Sequence, residues 1–213
     1  MIGVYDYTVI ATYLATVLGV CGMMQAIEGR PVAALVCLLA AGLLDTVDGR
    51  IARTKKNRTA TEKGFGIQID SLNDVMCFGL LPTLIAYVLA REVWLGEVPV
   101  WYSATLIFFV LTGLIRLAYF NVTEEERQRS STEPRKYYLG LPITTSTLLF
   151  PLLYLVAMMF ASGSASAVVM AVGMFVIGVL YIAPIRIPKP GVPGLAAMGV
   201  AGIAIVAWLF ASI

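Results

Sequence analysis

Apolar residues fill this chain in seven long runs separated by short polar stretches, at about 7–27, 31–53, 66–90, 98–122, 139–161, 165–186 and 193–212. A helix needs roughly 20 mostly apolar residues to cross the hydrocarbon layer of a bilayer, so each run predicts a membrane span. The last, after the Pro/Gly-rich stretch IPKPGVPG, is the weakest. Pro31, Pro99 and Pro193 stand near the expected helix starts, where a missing N–H costs little. Pro82 and Pro151 fall inside runs and predict kinks. Small residues recur along several runs, which suits close helix packing in lipid. The pattern implies an all-α, polytopic transmembrane helical bundle of about 6–7 spans, a single domain over residues 1–213.

Composition agrees. Hydrophobic residues make up 59% of the 213 and charged residues 13%, against about 25% charged in a soluble domain. A net charge of +2 gives no reason to expect nucleic acid as a partner. The chain has no histidine, which excludes Ser-His-Asp and Cys-His catalysis and leaves a carboxylate, Lys, Tyr or Cys as general base. Cys21, Cys37 and Cys77 lie in apolar runs without CxxC spacing and read as small buried hydrophobes. The start, MIGVYDYT, lacks the basic residues of a cleaved signal peptide, so the first run is expected to be a retained span.

The charges are unevenly placed. One side of the membrane receives Arg50, Arg53, Lys55, Lys56, Arg58 and Lys63, then Arg127, Arg129, Arg135 and Lys136, then Arg186 and Lys189. The other receives only Arg30 and Arg91. The positive-inside rule puts the basic loops and the N-terminus in the cytoplasm. Trp94 and Trp101 are expected at the outer interface.

Four carboxylates stand on or beside apolar helices near that cytoplasmic end. The second run closes as LLDTVDGRIAR and the third opens as GFGIQIDSLNDVMCFG. A single membrane aspartate near a helix end often only caps or snorkels. Here Asp45 and Asp48 are spaced i,i+3 and Asp70 and Asp74 i,i+4, so each pair shares a helix face. Antiparallel helices joined by a short loop bring the pairs together. Packed carboxylates repel unless cations lie between them, and hard oxygen donors suit Mg²⁺ or Mn²⁺. A two-metal site of this kind serves displacement at phosphorus.

The arrangement Asp45-x-x-Asp48-Gly49-x-x-Ala52-Arg53, followed by Gly66-x-x-x-Asp70-x-x-x-Asp74, resembles the signature of the CDP-alcohol phosphatidyltransferases. Every fixed position is filled in order. Twelve residues separate Arg53 from Gly66, against the usual eight or nine; the extra length falls in the basic loop TKKNRTATEK. The resemblance implies a helical membrane enzyme of the cell membrane, commonly a homodimer, with a CDP-linked lipid donor, a divalent metal and release of CMP. It implies Asp45, Asp48 and Asp70 as metal ligands, and Asp74 as their neighbour and the general base. Gly49, Ala52 and Gly66 would shape the cytidine and diphosphate site, and Arg53 would meet the donor phosphate.

Further stretches are similar to the serine-using branch of the family. DSLNDVMCFGLLP, Asp70 to Pro82, resembles DSLxDxxSFGxAP with Cys77 in place of Ser; RLAYFNV, Arg116 to Val122, resembles RLARFNV with Tyr119 in place of Arg; LGLPITTS, Leu139 to Ser146, is similar to its GLP segment. The first span lacks the family's common Asn, for which Thr12 or Thr16 can substitute. The resemblance thus implies CDP-diacylglycerol and L-serine as substrates. Arg116, about a turn and a half from the expected end of the fourth span, would bind a lipid phosphate or the serine carboxylate, pair with an Asp, or snorkel. Asn121, Arg135 and Lys136 are further acceptor-side candidates. The stretch EEERQRSSTEPRKYY reads as a solvated loop, and Thr144, Thr145 and Ser146 as hydroxyls bonding back along their own helix. Glycerol 3-phosphate, inositol phosphate or an archaeal ether-lipid donor are the alternatives within the reaction class. A cation-coupled transporter is the alternative outside it.

Overall fold

The computed structural model describes residues 2–130, 137–160, 162–188 and 191–211. Arg135, Lys136 and Lys189 lie outside the described residues. Seven helices are present among those described: α1 Ile10–Ile27, α2 Pro31–Thr54, α3 Ala60–Leu95, α4 Val100–Ser130, α5 Ser146–Met158, α6 Gly163–Ile182 and α7 Val192–Ala211. Five of them, α1 to α4 and α6, are long and apolar enough to cross a membrane. The chain is an all-α polytopic membrane protein. Many large apolar side chains are exposed (Leu14, Val17, Ile107, Leu111, Val172 and Val176 among them), as a lipid-facing surface requires.

Helix ends depart from the hydropathy pattern for identifiable reasons. The third helix starts at Ala60, six residues before its apolar run. Thr59 caps it: its Oγ1 accepts from Glu62 N at 3.1 Å while Glu62 Oε2 accepts from Thr59 N at 2.7 Å, a reciprocal cap that starts a helix in polar sequence. The fourth helix runs on to Ser130, so the first part of the expected loop, Glu124 to Ser130, is helical. Arg127 grips Glu124 one turn back through two bonds of 2.6 and 3.1 Å. At 1.5 Å per residue this 31-residue helix is about 46 Å long, so its last turns stand beyond the hydrocarbon. Arg116 is therefore about four turns from the helix end, not a turn and a half.

The fifth expected span, 139–161, is broken. Its start forms a small antiparallel pair, β1 Tyr137–Leu139 with β2 Arg186–Pro188. A 3₁₀ turn, Ile143–Thr145, then leads into α5, which at 13 residues is too short to cross alone. Gly140 makes the turn between strand and helix, with φ +74° and no room for a side chain against the Tyr181 carbonyl. Leu141 N reaches Leu180 O at 2.9 Å, which ties this segment to the end of α6. α7 carries a shorter apolar stretch, Ala197–Trp208.

Pro82 shapes α3. It offers no N–H to the Phe78 carbonyl four residues back. The helix widens to a π-turn over Val75–Leu80, and Ser146 Oγ of α5 donates to Phe78 O at 2.9 Å. Ser146 thus bonds across helices rather than along its own. Thr145 Oγ1 donates locally, to Pro142 O at 2.6 Å. Phe78, Tyr102, Phe109, Phe150 and Tyr181 fill the bundle centre. Cys77 is buried there, Cys37 is half-buried, and Cys21 faces outward; a helix buried on only one side turns some of its small apolar residues to lipid.

Candidate active site at the ends of α2 and α3

α2 descends to the basic loop and α3 rises from it. On antiparallel helices the aspartates nearest the loop must face each other, as must the two a turn deeper. Asp48 meets Asp70, and Asp45 meets Asp74. The site therefore has two layers separated by one helical turn, about 5 Å. Carboxyl oxygens of Asp45, Asp70 and Asp74 converge within 4.8 Å of one another, and these three can hold a metal ion. Asp48 stands outside that triplet, toward the loop, and takes a hydrogen bond from Thr12 Oγ1 of α1 at 3.2 Å.

The donor set fits a divalent cation on two counts. It consists only of hard carboxylate oxygens, the ligands that Mg²⁺ and Mn²⁺ prefer. In addition, the buried oxygens Asp70 Oδ1 and Asp74 Oδ1 have no hydrogen-bond partner among the described residues. Buried oxygen atoms left in this way are costly without a cation or a proton donor.

Beside the outer layer lies a pocket of about 150 Å³. Thr8, Val9 and Thr12 form one wall from the start of α1. Asp48, Gly49 and Ala52 form the second from α2. Arg58, Lys63, Gly66, Ile67 and Asp70 form the third from the loop and α3. The motif's small residues Gly49, Ala52 and Gly66 thus share one cavity with two of its aspartates. Arg53 does not line that cavity; it is exposed, with its Nη2 about 4.0 Å from where a Cβ on Gly49 would be. Arg58, which carries no motif signature, lines it instead.

Packed behind the cluster is a set of polar contacts. Thr16 Oγ1 donates to Asn73 Oδ1 at 2.9 Å, and Cys77 Sγ to the same oxygen at 3.2 Å. Of the two threonines proposed in place of the family's Asn, Thr12 therefore meets an aspartate and Thr16 meets Asn73. Asn121 of α4 donates to Ser71 Oγ at 2.7 Å, next in sequence to Asp70. Arg116 is buried, with its guanidinium 5.0 Å from the Phe120 ring centre.

At the loop surface Lys55 Nζ sits between two carboxylates, 2.6 Å from Asp6 Oδ2 and 2.7 Å from Glu62 Oε1. Asp6 in turn accepts from Thr8 N at 2.9 Å and from the Thr8 hydroxyl. The Lys55 ammonium, followed by the Thr8 bonds, lowers the Asp6 carboxyl to about 2.

The sequence profile of the CDP-alcohol phosphatidyltransferases matches residues 8–181, which include all four aspartates and the pocket, and the chain belongs to that family. It is 33% identical over 174 residues to the CDP-diacylglycerol–serine O-phosphatidyltransferase of Helicobacter pylori, a match covering 81% of this chain and 67% of that protein. The Saccharomyces cerevisiae protein of the same name is 40% identical over 106 residues, 49% of this chain and 35% of the yeast protein. The archaetidylserine synthase of Methanothermobacter thermautotrophicus is 32% identical over 171 residues, 80% of this chain and 64% of that one.

Proposed function

We propose that this protein transfers the phosphatidyl group of CDP-diacylglycerol to the hydroxyl of L-serine, giving phosphatidylserine and CMP. The observation that carries the reading is one site: converging carboxylates of α2 and α3 open onto a small-residue pocket that Arg58 and Lys63 also line. The similar proteins named for serine transfer support the acceptor.

Asp45, Asp70 and Asp74 would hold a Mg²⁺ or Mn²⁺ ion, with Asp48 in the outer layer able to share a second; the metal charge would offset that of the donor diphosphate and of the carboxylates themselves. Thr12 holds the Asp48 carboxylate in place. Gly49, Ala52 and Gly66 leave the backbone open to the CDP portion, and Arg53 reaches a phosphate from the rim. Asp74 accepts the serine hydroxyl proton. The serine oxygen then attacks the lipid-side phosphorus, and the bond from that phosphorus to the bridging diphosphate oxygen breaks to release CMP. Holding both reactants in line and neutralising charge supply most of the rate. Arg116 takes the serine carboxylate in bidentate fashion, and Asn121 keeps α4 registered on Ser71 beside Asp70. Arg135 and Lys136 are kept as acceptor-side candidates on the sequence alone.

The basic loops support a site on the cytoplasmic face of the cell membrane, with the lipid tails remaining in the bilayer. We also propose a homodimer built from one such domain per chain. An apolar groove of about 690 Å³ between α3 and α4, with Leu84, Tyr87, Ile107 and Leu111 in its wall, offers a lipid-side surface for pairing. The molar mass in detergent, by light scattering, tests it. A second donor reading, an ether lipid, rests on the similar archaetidylserine synthase; turnover of ester and ether CDP-lipids side by side separates the two.

Purified protein in detergent should form phosphatidylserine and CMP with Mg²⁺ or Mn²⁺ and lose that activity in excess EDTA. Full activity in EDTA contradicts the metal assignment. Asp74→Asn should abolish turnover while donor binding persists; turnover like that of the wild type removes Asp74 as the base.

A further inference from the structure

We infer that Arg58, in the loop between α2 and α3, is a contact for the diphosphate of the CDP-linked donor, held in place by an ionic clasp of Asp6, Lys55 and Glu62. The inference rests on the donor reading given above and adds a residue outside the family motif.

Arg58 stands where such a contact is needed. It lines the 150 Å³ pocket together with Asp48, Gly49, Gly66 and Asp70. Its Nη2 lies 2.7 Å from where a Cβ on Gly66 would be, so the guanidinium occupies the space that this glycine leaves free. The same Nη2 donates to the Glu62 carbonyl at 3.1 Å. Arg58 Nε is buried and has no hydrogen-bond partner among the described residues. Arg58 shares a small cavity with two aspartates, yet no ion pair joins it to either one among the described residues. The cationic fork of Arg58 and the Asp70 carboxylate on the α3 wall, with Asp48 on the α2 wall, leave a space suited to an anion that bridges the guanidinium and a carboxylate-bound cation. A diphosphate presents oxygens to both at once, and the planar guanidinium matches such a group bidentately.

The loop explains how Arg58 gets there. Arg53, the motif arginine, ends α2 pointing outward. The twelve residues from Arg53 to Gly66 allow the chain to turn back over the pocket before α3 begins. Lys55 then bridges Asp6, ahead of α1, to Glu62, in the first turn of α3. Asp6 holds Thr8, and Thr8 and Val9 form the wall facing Arg58. The clasp thus fixes the spacing of the two walls, which makes Lys55 a positioning residue and Arg58 the contact.

The test compares Arg58→Gln, Arg58→Lys and Lys56→Gln with the wild type in detergent, after monodispersity is checked by size exclusion. Lys56 is exposed in the same loop and does not line the pocket, so Lys56→Gln removes one loop charge without touching the site. CMP release is followed against donor at saturating serine and against serine at saturating donor. CDP binding is measured separately by calorimetry with Mg²⁺ or Mn²⁺ present. Arg58→Gln should raise the donor KM and the CDP Kd about 10- to 100-fold, as loss of one or two hydrogen bonds to a charged group does, with the serine KM within about twofold. Arg58→Lys should recover part of the loss, and Lys56→Gln should match the wild type. A donor KM and CDP Kd within about twofold of wild type for Arg58→Gln overturns the inference. So does an equal effect of Lys56→Gln, which would reduce the loop to its summed charge. If the wild type releases no CMP with serine, the acceptor reading fails, and the CDP titration still decides the role of Arg58.

Discussion

Ser146 of α5 donates its hydroxyl to the Phe78 carbonyl of α3, 2.9 Å away and four residues before Pro82. The bond is buried, it joins two helices, and it serves the carbonyl that the proline cannot serve. Removing it leaves a buried acceptor at the π-turn just past Asp74. Ser146→Ala should therefore cost about 1 kcal/mol of stability, in the range of single polar contacts between membrane helices. Thermal unfolding in detergent checks this; an unchanged midpoint would show that the widened turn satisfies the carbonyl by itself.

Gly66 gives a prediction that separates binding from stability. A Cβ there meets only the end of the Arg58 side chain, at 2.7 Å. The guanidinium is flexible enough to move aside, so Gly66→Ala should leave the unfolding midpoint within a degree or two. The donor KM should nevertheless rise about tenfold, because Arg58 is displaced and the pocket loses volume. A lower midpoint with an unchanged donor KM contradicts this account of the pocket.

The clasp at Lys55 has a defined pH window. Asp6 is lowered from 3.8 to about 2 by Lys55 and then Thr8, so its contribution is complete above its unfolded value and is lost as pH falls toward 2. Lys55 is raised above 10.5 by its bonds to Asp6 and then Glu62, so its contribution is complete below 10.5 and lost at more alkaline pH. Between about pH 5 and 9 the clasp should be insensitive to pH. Lys55→Met should speed hydrogen exchange at the Thr8 amide and raise the donor KM across that whole range, with kcat little changed. Protection of the Thr8 amide like that of the wild type would remove the clasp from the account.

The metal triplet predicts an order among the aspartates. Asp45 and Asp70 belong to the converging three, whereas Asp48 faces the pocket with Thr12 as partner. Asp70→Asn should weaken Mn²⁺ binding more than Asp48→Asn does, and Thr12→Val should act in the same direction as Asp48→Asn but more mildly. Paramagnetic resonance of bound Mn²⁺ in the four proteins tests the order. Equal Mn²⁺ affinities for the two asparagine variants contradict it.

The aspartates were legible in the sequence because their spacing alone puts each pair on one helix face, and ionised groups in apolar runs are rare enough to demand a reason. The expected small residues, Gly49, Ala52 and Gly66, do share one pocket with Asp48 and Asp70. Helix ends were less legible. Hydropathy marks where a chain meets lipid, while helices run on into water when local polar bonds support them, as Thr59–Glu62 and Glu124–Arg127 do. Arg58 was hidden for a similar reason. Its place in the pocket depends on how the loop folds back, which neither residue spacing nor the motif encodes; the only trace was a loop longer than usual. The Ser146–Phe78 bond spans 68 positions and had one clue, Pro82 inside an apolar run.

The central claim is the reaction itself, and an acceptor panel tests it most directly. Purified protein with CDP-diacylglycerol and Mn²⁺ or Mg²⁺ is given L-serine, glycerol 3-phosphate or inositol phosphate in turn, and CMP release is measured beside the lipid product. The account predicts CMP and phosphatidylserine in equal amounts with serine, little CMP with the other two, and none in the Asp74→Asn protein. CMP release that favours a phosphorylated alcohol over serine, or that proceeds equally in the Asp74→Asn protein, would contradict it.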